Sequence, residues 1–275
     1  FLLGSLADYS ESEGVAVADM PELERLMLHR LVEMDTLVRR CIDDFDFHTL
    51  WVELHNFCAN DLSAFYFDIR KDALYCDHPS SLRRRACRTV LNDLFDALVT
   101  WLAPIASFTA DEAYLTRRFG SIEAAPAGES VHLETYPEVP ADWRDDALAS
   151  RWRQVRGVRR VILGALERER AEKRMRGSLE AAPTVYVTAE QAEALDGLDL
   201  AEIAIVSGVD LKVEPPPPEA FTLPEVKGCG VLPIKTDAAR CERCWQHLPD
   251  VGGDPEHPDA CARCADAVRQ VAEAA

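Results

Sequence analysis

The stretch FDFHTLWVELHNFCANDLSAFYFDIRKDALYC, residues 45–76, decides the fold of the first half of this 275-residue chain. Its apolar residues recur mostly in steps of three and four, the spacing that places them on one face of an α-helix. They are Phe47, Leu50, Trp51, Leu54, Phe57, Cys58, Leu62, Phe65 and Ile69. The pattern predicts one long helix that ends near Cys76.

Further helices are predicted on both sides of this stretch. Proline favours the first turn of a helix and interrupts its interior, and a Thr-x-x-Glu run is typical of a capped start. The predicted helices span about 21–41, about 80–104, and a short segment after Thr109 that is capped by Thr109 and Glu112. Because short polar breaks join them, we expect a mainly α fold with an antiparallel helical bundle over residues 1–141.

The second half changes character. A surface loop, 120–142, precedes a helix whose apolar face and basic face are distinct. The apolar face carries Trp152, Val155, Val158, Ile162 and Leu166. Short strands at 184–187 and 203–206, with a helical segment at 190–195 between them, then predict a small α/β unit, so that 142–213 forms one subdomain. A Pro-rich linker, 214–236, includes the stiff run Pro215–Pro218, and a last module covers 237–275.

Four cysteines give this last module its chemistry. Cys241, Cys244, Cys261 and Cys264 read as C-x2-C-x16-C-x2-C, a spacing typical of one structural Zn²⁺ held by four thiolates with no open position. Two disulfides or four idle thiols are the alternative, and His247 or His257 can each replace one sulfur. The other five cysteines show no knuckle spacing and are expected to be buried, reduced thiols. They are Cys41, Cys58, Cys76, Cys87 and Cys229.

Charge is distributed unevenly along the chain. The net charge is −18, which argues against a nucleic-acid partner, and the composition is that of a soluble globular protein with 48% hydrophobic and 28% charged residues. Residues 151–176, however, contain ten basic and three acidic residues, so this stretch carries +7 and the remainder −25. A local basic stripe of this kind neutralises phosphates even on an acidic body.

Sequence signatures of catalysis are absent from the chain. It contains no Gly-rich phosphate loop, no G-x-S-x-G and no H-E-x-x-H. No membrane-spanning run or signal peptide is recognisable, so a cytoplasmic location is expected. Because the first residue is Phe1, we expect the chain to be a piece of a longer protein.

Several stretches, in this order, resemble the C-terminal part of bacterial isoleucyl-tRNA synthetases of class I. They are residues 45–76 quoted above, RRRACRTVLNDLFDALVTWLAPIASFTADEAY (83–114), VRGVRRVILGALERERAEKRMRGSLEAAPTVYV (155–187), and the tail with CERCWQHLPDV (241–251) and CARCADAV (261–268). The GSLEA run and the CxRCW knuckle resemble the enzymes specific for isoleucine.

The resemblance implies a division of labour within an isoleucine–tRNA ligase. The family's His-Ile-Gly-His and Lys-Met-Ser-Lys-Ser signatures, which activate the amino acid with ATP, are not in this chain. The chain is therefore expected to have no catalytic residue and to meet ATP only through a core that precedes Phe1. Its expected roles are to bind isoleucine tRNA by the anticodon arm, as a monomer, and to hold one structural zinc ion.

The same resemblance directs attention to individual tRNA contacts. Phosphates would meet Arg153, Arg156 and Arg160 of the basic helix, which would position the RNA without reading its sequence. Unpaired anticodon bases would stack on an exposed aromatic or guanidinium plane. Further candidates for these roles are Arg83, Arg84, Arg85, Arg243, Arg263 and Trp245. In the alternative interpretation, Arg83–Arg85 form a solvated first turn and Trp245 covers the metal site.

Two other functions fit parts of the sequence. A non-enzymatic protein-interaction scaffold, a helical bundle with a structural zinc module, agrees with the net charge of −18. Formamidopyrimidine-type DNA glycosylases have a zinc module of similar spacing, but they need an N-terminal proline nucleophile that this chain lacks. The helical half has no place in that architecture.

Overall fold

The computed structural model describes residues 1–274, which divide into two compact units. Unit 1 comprises Phe1–Leu74 and Pro79–Asp146, and unit 2 comprises Tyr75–His78 and the described residues from Ala147 onward. Among the described residues, no helix is both long and apolar enough to cross a membrane. The four-part division made from the sequence stays a prediction.

Unit 1 is a helical bundle. Its helices are α1 (Leu2–Ser5), α2 (Glu22–Asp43), α3 (Phe47–Asn56), α4 (Asp68–Cys76, whose last two residues belong to unit 2), α5 (Leu82–Leu102) and α6 (Ser107–Phe119). Helix α2 packs on α3 and α5, and α5 also packs on α1 and α6. The mainly α fold predicted for this half is confirmed.

The long helix predicted to end near Cys76 is confirmed, with an unexpected middle. Residues Phe57–Phe67 join α3 to α4 through π-helical hydrogen bonds, a pattern that is rare and that usually covers a single turn. The helix begins after Asp46, whose carboxylate accepts a hydrogen bond from the amide of Thr49 at 3.1 Å. This cap and the left-handed conformation of Phe45 separate α3 from α2.

One predicted helix start is wrong. Helix α6 opens at Ser107 and not after Thr109, and no side chain caps it. The chain leaves α5 in a tight turn in which the amide of Ala106 donates to the carbonyl of Leu102 at 2.7 Å. Ala106, with φ −109° and ψ 53°, is the residue that precedes the helix, so Thr109 lies inside the first turn and is not in the capping position.

A buried ion pair links α2 to the long helix. Arg70 donates from Nε to Oε1 of Glu24 at 2.7 Å and from Nη2 to Oε2 at 2.6 Å, and the hydroxyl of Tyr66 donates to the same carboxylate at 3.1 Å. The two charged side chains are 4% and 0% exposed. A bidentate pair with a third donor satisfies charges that would otherwise be costly to bury.

Unit 2 contains helix α7, a small sheet and the cysteine module. Its elements are α7 (Asp146–Ala171, which begins on the last residue of unit 1), β1 (Thr184–Tyr186), α8 (Ala189–Leu195), α9 (Leu200–Ala204), β2 (Asp210–Lys212), β3 (Gly230–Leu232) and α10 (Ala262–Ala274). Strand β1 is central; it pairs in parallel with β2 and antiparallel with β3. The first predicted strand and the helix after it are confirmed.

The second predicted strand, residues 203–206, is wrong. Ile203 and Ala204 form the end of α9, and Ile205 terminates it in a left-handed conformation with φ 57°. Asp199 caps the start of α9 by accepting from the amide of Glu202 at 3.0 Å. These apolar residues are therefore part of a short helical turn. Such a turn buries apolar side chains as well as a strand would.

Residues 214–236, predicted as a linker, contain β3 and pack on α7. Gly164 of α7 leaves room for the ring of Phe221, because a Cβ at this position would lie 2.8 Å from the ring atom Cε1. Phe221 is also paired through its backbone with Val231 of β3, and the guanidinium of Arg168 lies over its ring at 5.4 Å. The Pro-rich segment is thus held against the helix.

We expect Arg70→Met to lower the free energy of unfolding of unit 1 by about 3–5 kcal/mol, because it leaves the carboxylate of Glu24 buried without a counter-charge. The matched control is Lys71→Met, which breaks an exposed pair with Asp68 and should cost less than about 1 kcal/mol. Urea titrations followed by far-UV circular dichroism measure both. An equal loss in free energy of unfolding for the two variants would show that the buried pair stabilises unit 1 no more than the exposed pair does.

Candidate zinc centre and nucleic-acid interface

The two cysteine knuckles fold back on each other as the sequence predicts. The first is a tight turn in which the amide of Trp245 donates to the carbonyl of Cys241 at 2.9 Å. The second leads into α10, so that Cys264 lies in its first turn. Between them, Asp250 accepts a hydrogen bond from the amide of Ala262 at 2.8 Å and fixes the start of that helix.

The four knuckle sulfurs form one buried cluster. All four Sγ atoms lie within 4.8 Å of one another, and those of Cys244 and Cys261 are 3.9 Å apart. Four sulfurs at 2.3 Å from one tetrahedral Zn²⁺ would be about 3.8 Å apart, whereas a disulfide requires about 2.05 Å. The donor set therefore fits a structural zinc ion, and the described residues contain no disulfide.

Neither histidine joins this cluster in the described part of the chain. The Nδ1 atom of His247 lies 2.9 Å from the carbonyl oxygen of Ala238, and its amide donates to the hydroxyl of Ser207 at 2.7 Å. The hydroxyl of Ser207 in turn donates to the carbonyl of Leu179 at 2.5 Å. His247 therefore attaches the cysteine module to the α/β part of unit 2.

The thiols differ in acidity. Burial pushes the pKa of Cys241 upward, but the amides of Cys244, Cys261 and Arg243 outweigh it and bring the pKa down to about 6. In Cys244 a hydrogen bond with Cys264, together with burial, raises the pKa well above its ordinary value. Without a metal the cluster thus favours one thiolate among protonated neighbours. Zinc binding, which needs deprotonated sulfurs, must release the remaining protons.

Arg243 and Arg263, which the sequence suggests as tRNA contacts, have partners inside unit 2. Arg243 donates from Nη2 to the carbonyl of Tyr75 at 3.3 Å and from Nη1 to that of Cys76, and Nη1 lies 3.7 Å from the sulfur of Cys264. Arg263 pairs with Asp77 at 3.1 Å. Both arginines hold the knuckles against residues 75–77, a role that needs no RNA.

Trp245 is 61% exposed. It adopts a left-handed backbone conformation with φ 65°, which costs a non-glycine residue roughly 1–2 kcal/mol. A ring that only covered the metal site would be mostly buried. The ring is therefore mainly at the surface, and its role in base stacking stays a prediction.

Helix α7 separates its arginines into two groups. Arg151 donates to the carbonyl of Ala194 at 2.9 Å, and Arg159 donates to that of Ile203 at 2.8 Å, so both secure the α/β part of unit 2. Arg153 and Arg160 are exposed on the face opposite the buried apolar residues, and Arg156 is half-buried. Among the described residues, neither Arg153 nor Arg160 takes part in an ion pair.

The three arginines at the start of α5 are engaged within unit 1. Arg83 pairs with Asp72 at 3.2 Å, and Arg84 donates to the carbonyl of Leu74 at 3.3 Å. Arg85 donates to the carbonyl of Glu13 at 3.0 Å. Each of the three side chains is half-buried and already has a partner in the protein. They therefore form neither a solvated first turn nor a set of unoccupied groups for a phosphate.

We expect Cys261→Ser to lose the zinc ion and to unfold the cysteine module, because structural sites of this kind convert about 10–16 kcal/mol of metal binding into folding energy. Zinc analysis, circular dichroism and limited proteolysis would show cleavage after residue 237 with the helices of unit 1 intact. Cys229→Ser, a buried cysteine of unit 2 outside the knuckles, is the control. An unchanged tail in Cys261→Ser would contradict the metal assignment.

Two known protein families match this chain, one over much of its first two thirds and one over the cysteine module. Residues 24–186 match the family described as the anticodon-binding domain of tRNA ligase, and residues 240–267 match the zinc finger found in FPG and IleRS. The second match includes all four knuckle cysteines.

Relatives of this chain are named isoleucine–tRNA ligase. The protein of Brucella abortus biovar 1 (strain 9-941) is 51% identical over 98% of this chain, that of Agrobacterium fabrum 48% over 99%, and that of Bartonella henselae 47% over 98%. The chain spans only about 27% of the length of each of these relatives. Because the first family match covers more than half of the residues, this chain belongs to the family of anticodon-binding domains of tRNA ligases, with a zinc finger of the kind found in FPG and IleRS following that domain.

Proposed function

We propose that this chain is the tRNA-binding part of an isoleucine–tRNA ligase, a class I aminoacyl-tRNA synthetase. It grips the anticodon arm of isoleucine tRNA while a catalytic core elsewhere in the protein uses ATP to attach isoleucine. The observation that carries the proposal is the family match over residues 24–186, and the exposed arginines of α7 give it a chemical basis. The chain itself contributes binding and positioning, and not adenylation.

The basic face of α7 is the proposed phosphate contact. Arg153 and Arg160 are seven residues apart, so they lie on the same side of the helix about two turns from each other. Their guanidinium groups are exposed and able to form bidentate bonds to phosphate oxygens. Since the rest of the chain is acidic, this face is where an RNA backbone meets the most favourable potential.

Trp245 is the proposed platform for an unpaired anticodon base. Its exposed ring stands on a knuckle whose position is fixed by four sulfurs and by Arg243. In this proposal the zinc ion takes no part in chemistry. The cysteine module holds the ring still, which lowers the entropy lost on binding.

We expect the chain to bind isoleucine tRNA more tightly than valine tRNA, with an affinity that falls as salt rises. Arg153→Gln/Arg160→Gln should reduce the slope of log affinity against log salt by about 2, because two phosphates then keep their counterions. The control is Arg39→Gln/Lys71→Gln, which removes the same charge at exposed sites of unit 1 and should leave the slope near that of the unaltered chain. Filter-binding titrations with transcripts at several salt concentrations measure it.

Absence of binding to either transcript at low salt would remove the support for this proposal and favour the scaffold alternative. Equal affinity for both transcripts would retain tRNA binding and reject isoleucine specificity in this part of the protein.

We expect Trp245→Ala to weaken tRNA binding by about 1–3 kcal/mol, the range for one stacked base, with zinc content unchanged. Trp245→Phe keeps an aromatic face and should retain most of the affinity. A loss of zinc in Trp245→Ala would instead show that the ring protects the metal site.

A further inference from the structure

A fifth cysteine belongs to the zinc cluster. Cys76, the last residue of α4, is 5% exposed and lies in one buried cluster with the four knuckle cysteines, against which Leu248, Val251 and Ala260 pack. Within the described residues the remaining four cysteines lie outside that cluster. Spacing along the sequence gives no sign of this, because Cys76 precedes the first knuckle by 165 positions.

Cys76 is fixed in place by a reciprocal contact with the first knuckle. Its thiol donates to the carbonyl of Arg243 at 3.7 Å, and the guanidinium of Arg243 donates back to the carbonyl of Cys76. The same guanidinium lies 3.7 Å from the sulfur of Cys264. The Cys76 sulfur is therefore held beside a zinc ligand, although it is not one of the four sulfurs that meet within 4.8 Å.

Four thiolates complete the shell of a structural zinc ion, so a fifth sulfur stays protonated and serves as a donor. The situation changes when one ligand is lost, because the ion would then have an open position and the Cys76 thiol lies in the same buried cluster. We propose that Cys76 is a reserve zinc ligand that takes the place of Cys264. If Cys264 were released, Cys76 would hold the ion as the fourth thiolate, and the proton of the Cys76 thiol would pass to the released Cys264 sulfur.

Cys264 is the ligand that Cys76 can replace, for two reasons. Both cysteines lie in the same buried cluster, and the guanidinium of Arg243 contacts both the Cys264 sulfur and the Cys76 carbonyl. One guanidinium therefore connects the sulfur of Cys264 to the residue that we propose replaces it. Cys241 differs, since its sulfur accepts the amide of Cys261 at 3.3 Å. Ligand exchange at the metal does not depend on tRNA binding.

Cobalt substituted for zinc in the whole chain counts the thiolates at the metal, because its charge-transfer absorbance rises with each thiolate ligand. We expect Cys264→Ser to retain one metal ion and a four-thiolate spectrum. Cys264→Ser/Cys76→Ser leaves three thiolates, as Cys261→Ser does, and should lose the metal ion together with its charge-transfer absorbance. Cys264→Ser/Cys229→Ser is the matched control and should resemble Cys264→Ser. Cys76→Ser alone should keep its zinc.

Each result decides the proposal. Loss of the metal ion or a three-thiolate spectrum in Cys264→Ser overturns it, and neither result needs the double variant to fold. Loss of zinc in Cys76→Ser also overturns it, because Cys76 would then be a permanent ligand. Four thiolates in Cys241→Ser would contradict the selective exchange with Cys264.

Discussion

Four thiolates within 4.8 Å of one another repel each other strongly, and only a cation among them makes the arrangement stable. This constraint organises the end of the chain. The knuckles contain little else to bury, so the module is folded only as far as the metal holds it. Two residues attach the cysteine module to neighbouring segments of unit 2. His247 bonds to Ser207 of the α/β part, and Arg243 bonds to the carbonyls of Tyr75 and Cys76.

The arginines of this protein show why a count of charges says little about RNA binding. Arg83, Arg84 and Arg85 bind groups within unit 1, while Arg151 and Arg159 bind carbonyl groups within unit 2. A guanidinium with five donors suits this task, because it satisfies carbonyls at the ends of helices and turns. The arginines that are left to bind a polyanion lie on a narrow face of α7. That face is the side of the helix opposite its buried apolar residues.

The sequence predicted the features that depend on local pattern. Apolar periodicity gave the helix that ends at Cys76, and knuckle spacing gave the four ligands, because both follow from residues close in the chain. The strand expected at 203–206 failed, since an apolar run of four fits a buried helical turn equally well. Packing of Phe221 on Gly164, and the place of Cys76 beside Cys264, depend on contacts between distant residues, which no local pattern encodes.

The contact between Arg243 and the end of α4 also resolves an electrostatic conflict. The carboxyl end of a helix carries about −0.5 of an elementary charge from its aligned peptide dipoles, and a zinc ion with four thiolates carries a formal charge of about −2. Two negative centres side by side would repel each other. The guanidinium between them bonds to the carbonyls of Tyr75 and Cys76 and touches the sulfur of Cys264. A single side chain thus serves as the counter-ion of both the helix dipole and the metal cluster, and their close approach depends on its permanent positive charge.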